Sequence, residues 1–375
     1  MVCEEAVCMI QAGKPQSIKV HNTYLIRSVL IQRGPMTKPE LAHITHLSLP
    51  TVNRIVDELV ESSFASETQG QDLQKTGRPA KTYMANKNYS AYVGLYYQDG
   101  MWTALRANFL GEIEERKDFP ALRNNALQDS VSSKEFSPDE KSGQLGRLIS
   151  AIREMIGSRD NVRVVALGIP GVVQHDGMIT GIPQLPGLEG VNLERMLREE
   201  LHLPVIVEND VKLKTLGYHS DYLQNLDSVV FLYIGSGIGA GLILDGRLYK
   251  GMSNFAGEFG FMPDGAGGME KKLISLRERL KKEPEDKTAR KKTEEILARM
   301  LVNVITVINP QAVVIDSRYL QDESLNKITK LISRSIPSGC LPELLIAEGR
   351  PYEETGLVQL CGEYYRNHTE EWLAI

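Results

Sequence analysis

Apolar runs that alternate with amphipathic segments dominate the chain from about residue 91 onward. Residues 162–167 and 313–315 are continuous apolar runs, the pattern of strands buried on both faces of a sheet. Predicted strands occupy 92–97, 102–108, 112–117, 162–167, 205–207, 229–234, 239–244 and 313–315, and predicted helices occupy 143–157, 192–201 and most of 270–308. This alternation predicts an α/β fold for this part of the chain.

Length and charge divide the chain into two unequal parts. The 375 residues are too many for one typical domain. The formal net charge of -5 would by itself argue against a nucleic-acid binder. Residues 14–90, however, contain 10 lysine and arginine residues against 6 aspartate and glutamate residues, whereas 91–375 carry a net charge of -7. A basic segment on an acidic body indicates an interaction module attached to a second unit.

The chain carries no signal for export or membrane insertion. Its four cysteines form no C-x-x-C pair, no apolar run reaches 18 residues, and the first residues include Glu4 and Glu5 rather than a basic stretch. We therefore expect a cytoplasmic protein without membrane contact.

Three predicted helices and a hairpin form the basic segment. Thr37 and Glu40 have the spacing of a capping box at the start of the second helix, and Ser48 can cap the third. Two β-like stretches, 64–67 and 82–85, follow. Helices with short connections followed by a hairpin predict a winged helix-turn-helix, whose third helix enters the major groove of DNA.

The candidate DNA contacts are polar or basic residues of this segment. Asn and Arg on the third helix can each bind a base through two hydrogen bonds, and basic side chains elsewhere can meet phosphate. The candidates are Lys38, Thr51, Asn53, Arg54, Arg78 and Lys81. A small helical bundle also has an exposed polar face when it binds nothing, so the pattern alone leaves that alternative open.

Polar residues follow a predicted strand in the body of the chain. The run P-V-I-V-E-N-D places Asn209 and Asp210 just beyond the carboxyl end of a strand, where open α/β sheets bind ligands. An Asp there can accept a proton from a hydroxylated ligand. Equally, Asn or Asp at this point can cap the next helix.

Glycines mark three further turns. The run G-I-P-G-V, which contains Gly171, follows a buried predicted strand. Further along the chain, Gly257 and Gly260 flank Glu258. Between them, I-G-S-G-I-G-A-G-L could cradle a phosphate with backbone amides or simply form a tight turn between strands. It is neither a P-loop, since no G-K-[ST] follows, nor a dinucleotide fingerprint, since a strand follows instead of a helix.

These motifs together resemble the ROK family (NagC/XylR/Mlc-like) of sugar kinases and sugar-responsive repressors. T-K-P-E-L-A-H-I-T-H-L-S-L-P-T-V-N-R-I-V-D-E-L-V and the wing tripeptide G-R-P are similar to the DNA-binding head of its repressors. The glycine run, the E-N-D run and G-E-F-G are similar to the motifs of its body. Two positions where glycine is usual carry His46 and Ser63, which can adopt a left-handed conformation at some cost.

The resemblance implies an architecture and a ligand set. It implies a winged helix-turn-helix at 19–89, after a flexible lead-in at 1–18, and a two-lobed actin-like (ribonuclease H-like) body at 90–375. Lobe one would cover about 90–208 plus a C-terminal return, and lobe two about 209–312. The implied sugar contacts are Gly171, Gln184, Asn209, Asp210, Glu258 and Glu270, of which Asp210 matches the catalytic base of kinase members.

Departures from the family pattern argue against kinase activity and against zinc. Tyr96 stands where the first phosphate loop has Asp, and Asp316 and Ser317 replace paired glycines that would face adenosine. Phe261 replaces a zinc-binding His, and 264–269 contains no cysteine. We therefore expect neither ATP nor zinc as a cofactor. Phe261 could stack on a sugar or fill the vacated core, and we favour core filling.

Three functions remain open, and we favour the first. The chain would be a repressor of carbohydrate genes, a homodimer or tetramer that binds operator DNA and a sugar or sugar phosphate. Alternatively, it would be an ATP-dependent sugar kinase with an added DNA-binding head. The third possibility is a regulator that has lost sugar binding, against which the retained polar residues argue.

Overall fold

The computed structural model describes residues 15–69, 80–121, 138–158, 160–235, 237–264, 268–320 and 322–368. Within these ranges no helix combines the length and the apolar composition needed to cross a membrane.

Three helices and a two-stranded antiparallel sheet form the N-terminal part. Their bounds are α1 (Pro15–Arg33), α2 (Lys38–Thr45), α3 (Leu49–Glu61), β1 (Ala65–Gln69) and β2 (Lys81–Ala85). The apolar positions of the helices converge on a core that contains Ile26, Leu41 and Ile55. Helix α1 starts at residue 15, inside the predicted lead-in of 1–18; a proline suits the first turn because its missing N–H needs no partner there. Residues 1–14 lie outside the described part.

Local capping interactions set the ends of α2 and α3. The Thr37 hydroxyl accepts from the Glu40 amide at 3.3 Å, and the Glu40 carboxylate accepts from the Thr37 amide at 2.8 Å, which confirms the capping box. Ser48 caps α3 by accepting from the Thr51 amide. His46 and Ser63 have φ values of 56° and 62°, so both occupy the left-handed region in which glycine is favoured.

A mixed five-stranded sheet forms the first lobe of the body. Its strands are β3 (Ala91–Gln98), β4 (Met101–Asn108), β5 (Ile113–Pro120), β6 (Val162–Ile169) and β9 (Val205–Asn209), in the order β5-β4-β3-β6-β9. Strands β3, β6 and β9 are parallel, as the fully buried β6 predicts. Helices α4 (Pro138–Ile156) and α5 (Leu193–Leu201) and the short strands β7 (Val172–Val173) and β8 (Ile179–Thr180) complete this lobe.

A second five-stranded sheet forms the other lobe. Its strands are β10 (Val229–Ile234), β11 (Ile238–Leu244), β12 (Arg247–Tyr249), β13 (Ala312–Asp316) and β14 (Glu343–Ile346), in the order β12-β11-β10-β13-β14. Helices α7 (Met269–Lys282), α8 (Lys287–Ile308) and α9 (Asp322–Ile332) belong to the same core. Because β14 pairs with β13, this sheet continues to residue 346, beyond the end at about 312 that we expected for lobe two.

Two helices pack between the sheets. Helix α6 (Asp210–Tyr222) follows β9 and contacts β10 and β11, whereas α10 (Tyr352–His368) contacts β3 and β6. The two helices pack closely on each other. A Cβ on Gly217 would lie 1.9 Å from the Tyr352 carbonyl oxygen, and one on Gly356 would lie 2.0 Å from the Leu213 carbonyl oxygen. Glycine is therefore required at both contacts.

An aromatic cluster joins the N-terminal part to the body. The Phe64 ring lies 5.4 Å from Phe109 and 5.2 Å from Tyr89, and Phe109 lies 6.3 Å from Tyr365 of α10. The guanidinium of Arg27 in α1 covers the Phe64 ring. The apolar core consequently runs without a break from α1 and α3 into the first lobe.

Candidate functional site

Asn209 and Asp210 lie where β9 ends and α6 begins, between the two lobes. The Asn209 side chain accepts from the Lys212 amide at 3.1 Å, so it is the N-cap of α6, which is the alternative that the sequence left open. Its Nδ2 donates to the Gly171 carbonyl at 2.9 Å. Gly171 has a φ of +136°. Asn209 thus holds the loop after β6 against the start of α6.

Asp210 has the electrostatics of a group that can exchange a proton near neutral pH. Burial, together with the carboxylate of Glu353, raises the pKa of Asp210 to about 7, although Lys214 opposes the shift. One oxygen accepts from the Val211 amide at 2.9 Å. A carboxyl group with such a pKa can accept a hydrogen bond or a proton from a ligand hydroxyl.

Three further predicted residues present polar groups in the second lobe or the loop before α5. Burial raises the pKa of Glu258, and the nearby carboxylate of Glu270 adds to the shift. Glu270 accepts from the Ile238 amide at 3.3 Å, which fixes its carboxylate beside the glycine turn. The Oε1 atom of Gln184 is buried and has no hydrogen-bond partner among the residues that the structure describes. A buried acceptor without a partner is costly, so a ligand donor there would be stabilising.

The four glycines of the I-G-S-G-I-G-A-G-L run have two different structural roles. Gly235 and Gly237 form the turn between β10 and β11, where the Gly235 amide donates to the Gly237 carbonyl at 3.0 Å. Gly239 and Gly241 lie inside β11 and face α6; a Cβ on Gly241 would lie 1.9 Å from Thr215 Oγ1. Helix packing, and not phosphate binding, therefore accounts for two of the four.

Five charged residues on or around α6 were not predicted from the sequence. The buried Lys212 donates to the Asn254 carbonyl, and the buried Glu208 pairs with Lys250 at 2.5 Å. Lys214 lies 2.9 Å from Asp316 and 3.4 Å from the buried Glu353. Burial alone would lower the pKa of Lys214, but these two carboxylates outweigh it and raise the pKa. The only signal was the charged spacing in E-N-D-V-K-L-K, which is also typical of an exposed helix.

The Lys214–Asp316 pair lines a second part of the interlobe cleft. This cavity of about 590 Å³ includes Tyr96 of β3 and Asp316 at the end of β13. The buried Tyr96 donates from its hydroxyl to Glu354 at 3.0 Å, and Arg116 pairs with the same carboxylate at 3.3 Å. Residues of both lobes and of α10 thus meet here through charged or polar side chains.

Phe261 does not fill the core, so that expectation was wrong. It ends the short 3₁₀ turn Phe259–Phe261 and is 67% exposed. Its ring lies 5.2 Å from the ring of Phe255. Phe259 and Met269, on either side of it in the sequence, are the buried members of the second-lobe core.

The zinc position has no suitable donor among the residues described around it. Phe261 carries none, and across the described ranges no three His, Cys, Asp or Glu side chains are grouped closely enough to hold a metal ion. Residues 265–267 lie outside the described part, so the absence of zinc stays a prediction.

The candidate DNA-contact residues divide into paired and open side chains. Lys38 lies 2.5 Å from Asp57, and Lys81 lies 2.9 Å from Glu67. The Thr51 hydroxyl shares a hydrogen bond with Ser48. Arg54 is exposed and Asn53 half-buried on α3. Arg78 lies outside the described residues.

Comparison with known proteins finds a family match within the body. A sequence profile described as "ROK family" matches residues 130–270. The chain contains a ROK-family domain. The chain is similar in structure to a ROK-family transcriptional regulator described as a homologue of E. coli Mlc, with a TM-score of 0.70 and 20% sequence identity. The superposition covers 92% of this chain and 96% of that regulator. That likeness confirms the α/β class and the actin-like body.

Two characterised relatives carry repressor names. The xylose repressor of Bacillus subtilis (strain 168) is 26% identical over 250 residues, which cover 65% of this chain and 61% of the relative. The transcriptional repressor Mlc of Escherichia coli (strain K12) is 24% identical over 258 residues, covering 67% and 59%. The similarity to the ROK-family relatives therefore spans about three fifths of their length.

Proposed function

We propose that this chain is a sugar-responsive DNA-binding repressor of carbohydrate genes. One observation carries the proposal: a single continuous core joins α3, with its exposed polar face, to α6, which begins at the polar cleft. A ligand in the cleft can then change DNA affinity, provided that it binds two conformational states unequally. The repressor names of the B. subtilis and E. coli relatives support the same function.

The DNA-binding half rests on the order and the surface of the N-terminal elements. Three helices followed by a two-stranded sheet match the arrangement of a winged helix-turn-helix with α3 in the major groove. Arg54 and Asn53 would read bases. Lys38 and Lys81 would exchange their carboxylate partners for phosphate, at small cost because such surface pairs contribute about 0–1 kcal/mol. A dimer or tetramer would match a two-fold operator.

The sensing half rests on acceptors and donors at the positions where the motifs predict sugar contacts. Sugar hydroxyls need both kinds of partner, and Asp210, Glu258 and Gln184 supply them. Asn209 and the Gly171 backbone would set their spacing, and Glu270 would orient the glycine turn. The cleft thus suits a neutral, hydroxyl-rich ligand.

We further propose that sugar phosphorylation has been lost and that neither ATP nor zinc is a cofactor. The Tyr96 ring and the Lys214–Asp316 pair occupy the part of the cleft where a nucleotide phosphate would need glycine backbone. The alternative, an ATP-dependent sugar kinase with an added head, is favoured by Asp210, whose pKa of about 7 suits a general base.

A thermal-shift screen tests the sensing half. We expect one or a few monosaccharides or their 6-phosphates to raise the melting temperature of the full chain. Glu258→Gln should abolish the rise because it removes a charged acceptor, whereas Glu343→Gln, an exposed carboxylate on β14, should keep it. If no sugar raises the melting temperature, the sensing half is wrong and a regulator that answers to another ligand replaces it.

DNA binding is tested on duplexes enriched from a random pool by the full chain. Arg54→Ala should weaken binding to the enriched duplex by about 1–3 kcal/mol. Arg195→Ala, which removes the same charge from an exposed site on the body, should have little effect. Equal effects of the two variants would contradict base reading by Arg54. Sugar turnover with ATP that disappears in Asp210→Asn would favour the kinase instead.

A further inference from the structure

Exposed apolar side chains cluster in the loop that precedes and includes the Phe259–Phe261 turn. This segment, residues 249–261, is called the aromatic loop below. It carries Tyr249, Met252, Phe255 and Phe261, which are 49%, 93%, 45% and 67% exposed. Large apolar side chains that are exposed together mark a binding surface more often than single ones do.

Two charged anchors hold the aromatic loop against the candidate sugar site. The Lys212 ammonium, buried in the first turn of α6, donates to the Asn254 carbonyl. Lys250 pairs with the buried Glu208, whose other oxygen accepts from the Asn209 amide at 2.9 Å. Both anchors come from residues that flank Asn209 and Asp210. The loop is therefore fixed to the site and is not a free surface feature.

The Phe259–Phe261 turn orients one aromatic ring relative to the site. The Phe261 amide donates to the Glu258 carbonyl at 3.1 Å, which is the i to i+3 bond of a 3₁₀ turn. Residues three apart in such a turn stand one above the other. Phe261 therefore lies beside Glu258 on the same side of the turn. Glu258 is the half-buried polar residue of this turn and Phe261 the exposed apolar one, so an apolar surface adjoins a residue of the candidate sugar site.

We propose that the aromatic loop is a subsite for the aglycone, a second sugar ring or an aryl group, of a glycoside whose first sugar occupies the polar cleft. The inference rests on the proposed function, because it places the first ring there. The C–H face of a sugar ring or an aryl ring packs favourably on aromatic side chains such as the Phe255–Phe261 pair. Lys250 of the loop is paired with Glu208, and Lys212 donates to the Asn254 carbonyl. Because both ammonium groups already have partners, the subsite suits a neutral ring better than a phosphate.

Calorimetric titration of the full chain tests the subsite. The probes are the methyl and phenyl glycosides, in both anomeric forms, of glucose, xylose and N-acetylglucosamine. We expect one phenyl glycoside to bind about tenfold more tightly than its methyl counterpart. Phe261→Ala and Phe255→Ala should remove that advantage and leave methyl glycoside affinity within about twofold. Val307→Ala, which truncates an exposed apolar side chain on α8, should retain it.

The other outcomes overturn the inference in distinguishable ways. Equal affinity of methyl and phenyl glycosides refutes the subsite and leaves sugar sensing intact. An equal loss of both affinities in Phe261→Ala places this ring in the first sugar site, which also refutes it. A smaller sedimenting species in the Phe variants, without a phenyl preference, assigns the patch to a second copy of the chain. Binding of no probe and no free sugar removes both the subsite and the sensing function.

Discussion

Burial of a single carboxyl group makes the stability of this protein depend on pH. The pKa of Asp210 is raised from 3.8 to about 7 in the folded state. Between these values the folded chain binds more protons than the unfolded one, so this contribution to the free energy of unfolding decreases as pH rises from about 4 to 7. Asp210→Asn should remove this pH-dependent contribution. At pH 8, where the wild-type protein must hold a buried charge at this position, the variant should be more stable by about 1–3 kcal/mol.

Urea unfolding of both proteins at several pH values between 5 and 8 measures this effect. Relative to the wild type, the free energy of unfolding of the variant should increase as pH rises from 5 to about 7. Parallel curves would show that Asp210 is solvated like an ordinary carboxylate. A carboxylate that prefers to be neutral when the cleft is empty is also ready to bond a ligand hydroxyl, so the same property supports sugar sensing.

Two residues of the N-terminal part store backbone strain. His46 and Ser63 hold φ near +60°, which costs a non-glycine residue about 1–2 kcal/mol. Glycine relieves the strain, but it also adds backbone entropy to the unfolded chain, and this entropy cancels about 0.5–1 kcal/mol of the gain in stability. We therefore expect His46→Gly to stabilise the fold by up to about 1 kcal/mol. His46→Ala should give no gain, and an equal rise in melting temperature for both variants would exclude backbone strain as the cause.

Among the elements, the α6–α10 pair has the strictest packing requirement. Gly356→Ala would place a Cβ 2.0 Å from the Leu213 carbonyl oxygen, so the helices must separate. We expect a loss of about 1–3 kcal/mol or more in the free energy of unfolding. Gly362→Ala on the same helix would meet only the movable end of Arg366. It should be neutral or stabilising, because alanine is the better helix former. Similar losses in both variants, measured by urea unfolding, would contradict the packing explanation.

Element types could be predicted from local sequence, whereas their long-range pairing could not. The capping box at Thr37 and the buried strand around Val165 depend on neighbours a few residues away. The pairing of β14 with β13, which extends the second sheet, depends on a partner about 30 residues away. Buried Lys212 and Lys214 were missed because lysine is nearly always exposed. Only the folded structure brings the Asn254 carbonyl to Lys212 and the carboxylates of Asp316 and Glu353 to Lys214. Which aromatic residue of Phe259–Phe261 is buried likewise depends on long-range packing: Phe259 joins the second-lobe core and Phe261 does not.

At the scale of the whole molecule, the aromatic cluster makes the N-terminal part and the body one cooperative unit. Phe109 is buried between Phe64 of the N-terminal part and Tyr365 of α10. Helix α10 continues from there to Glu353 in the interlobe cleft. We therefore expect the wild-type chain to show one calorimetric transition. Phe109→Ala should cost about 3–5 kcal/mol and divide unfolding into two transitions, because the cavity falls between the two parts.

Leu301→Ala is the matched control, since Leu301 is fully buried but lies in the core of the second lobe. It should lower the melting temperature by a comparable amount and leave a single transition, because the contact between the N-terminal part and the body is intact. A single transition in Phe109→Ala would mean that other contacts between the N-terminal part and the body already suffice to hold the parts together. Two transitions in the wild type would mean that the cleft and α3 are coupled weakly. A ligand could then change DNA affinity only by altering the assembly of the chains.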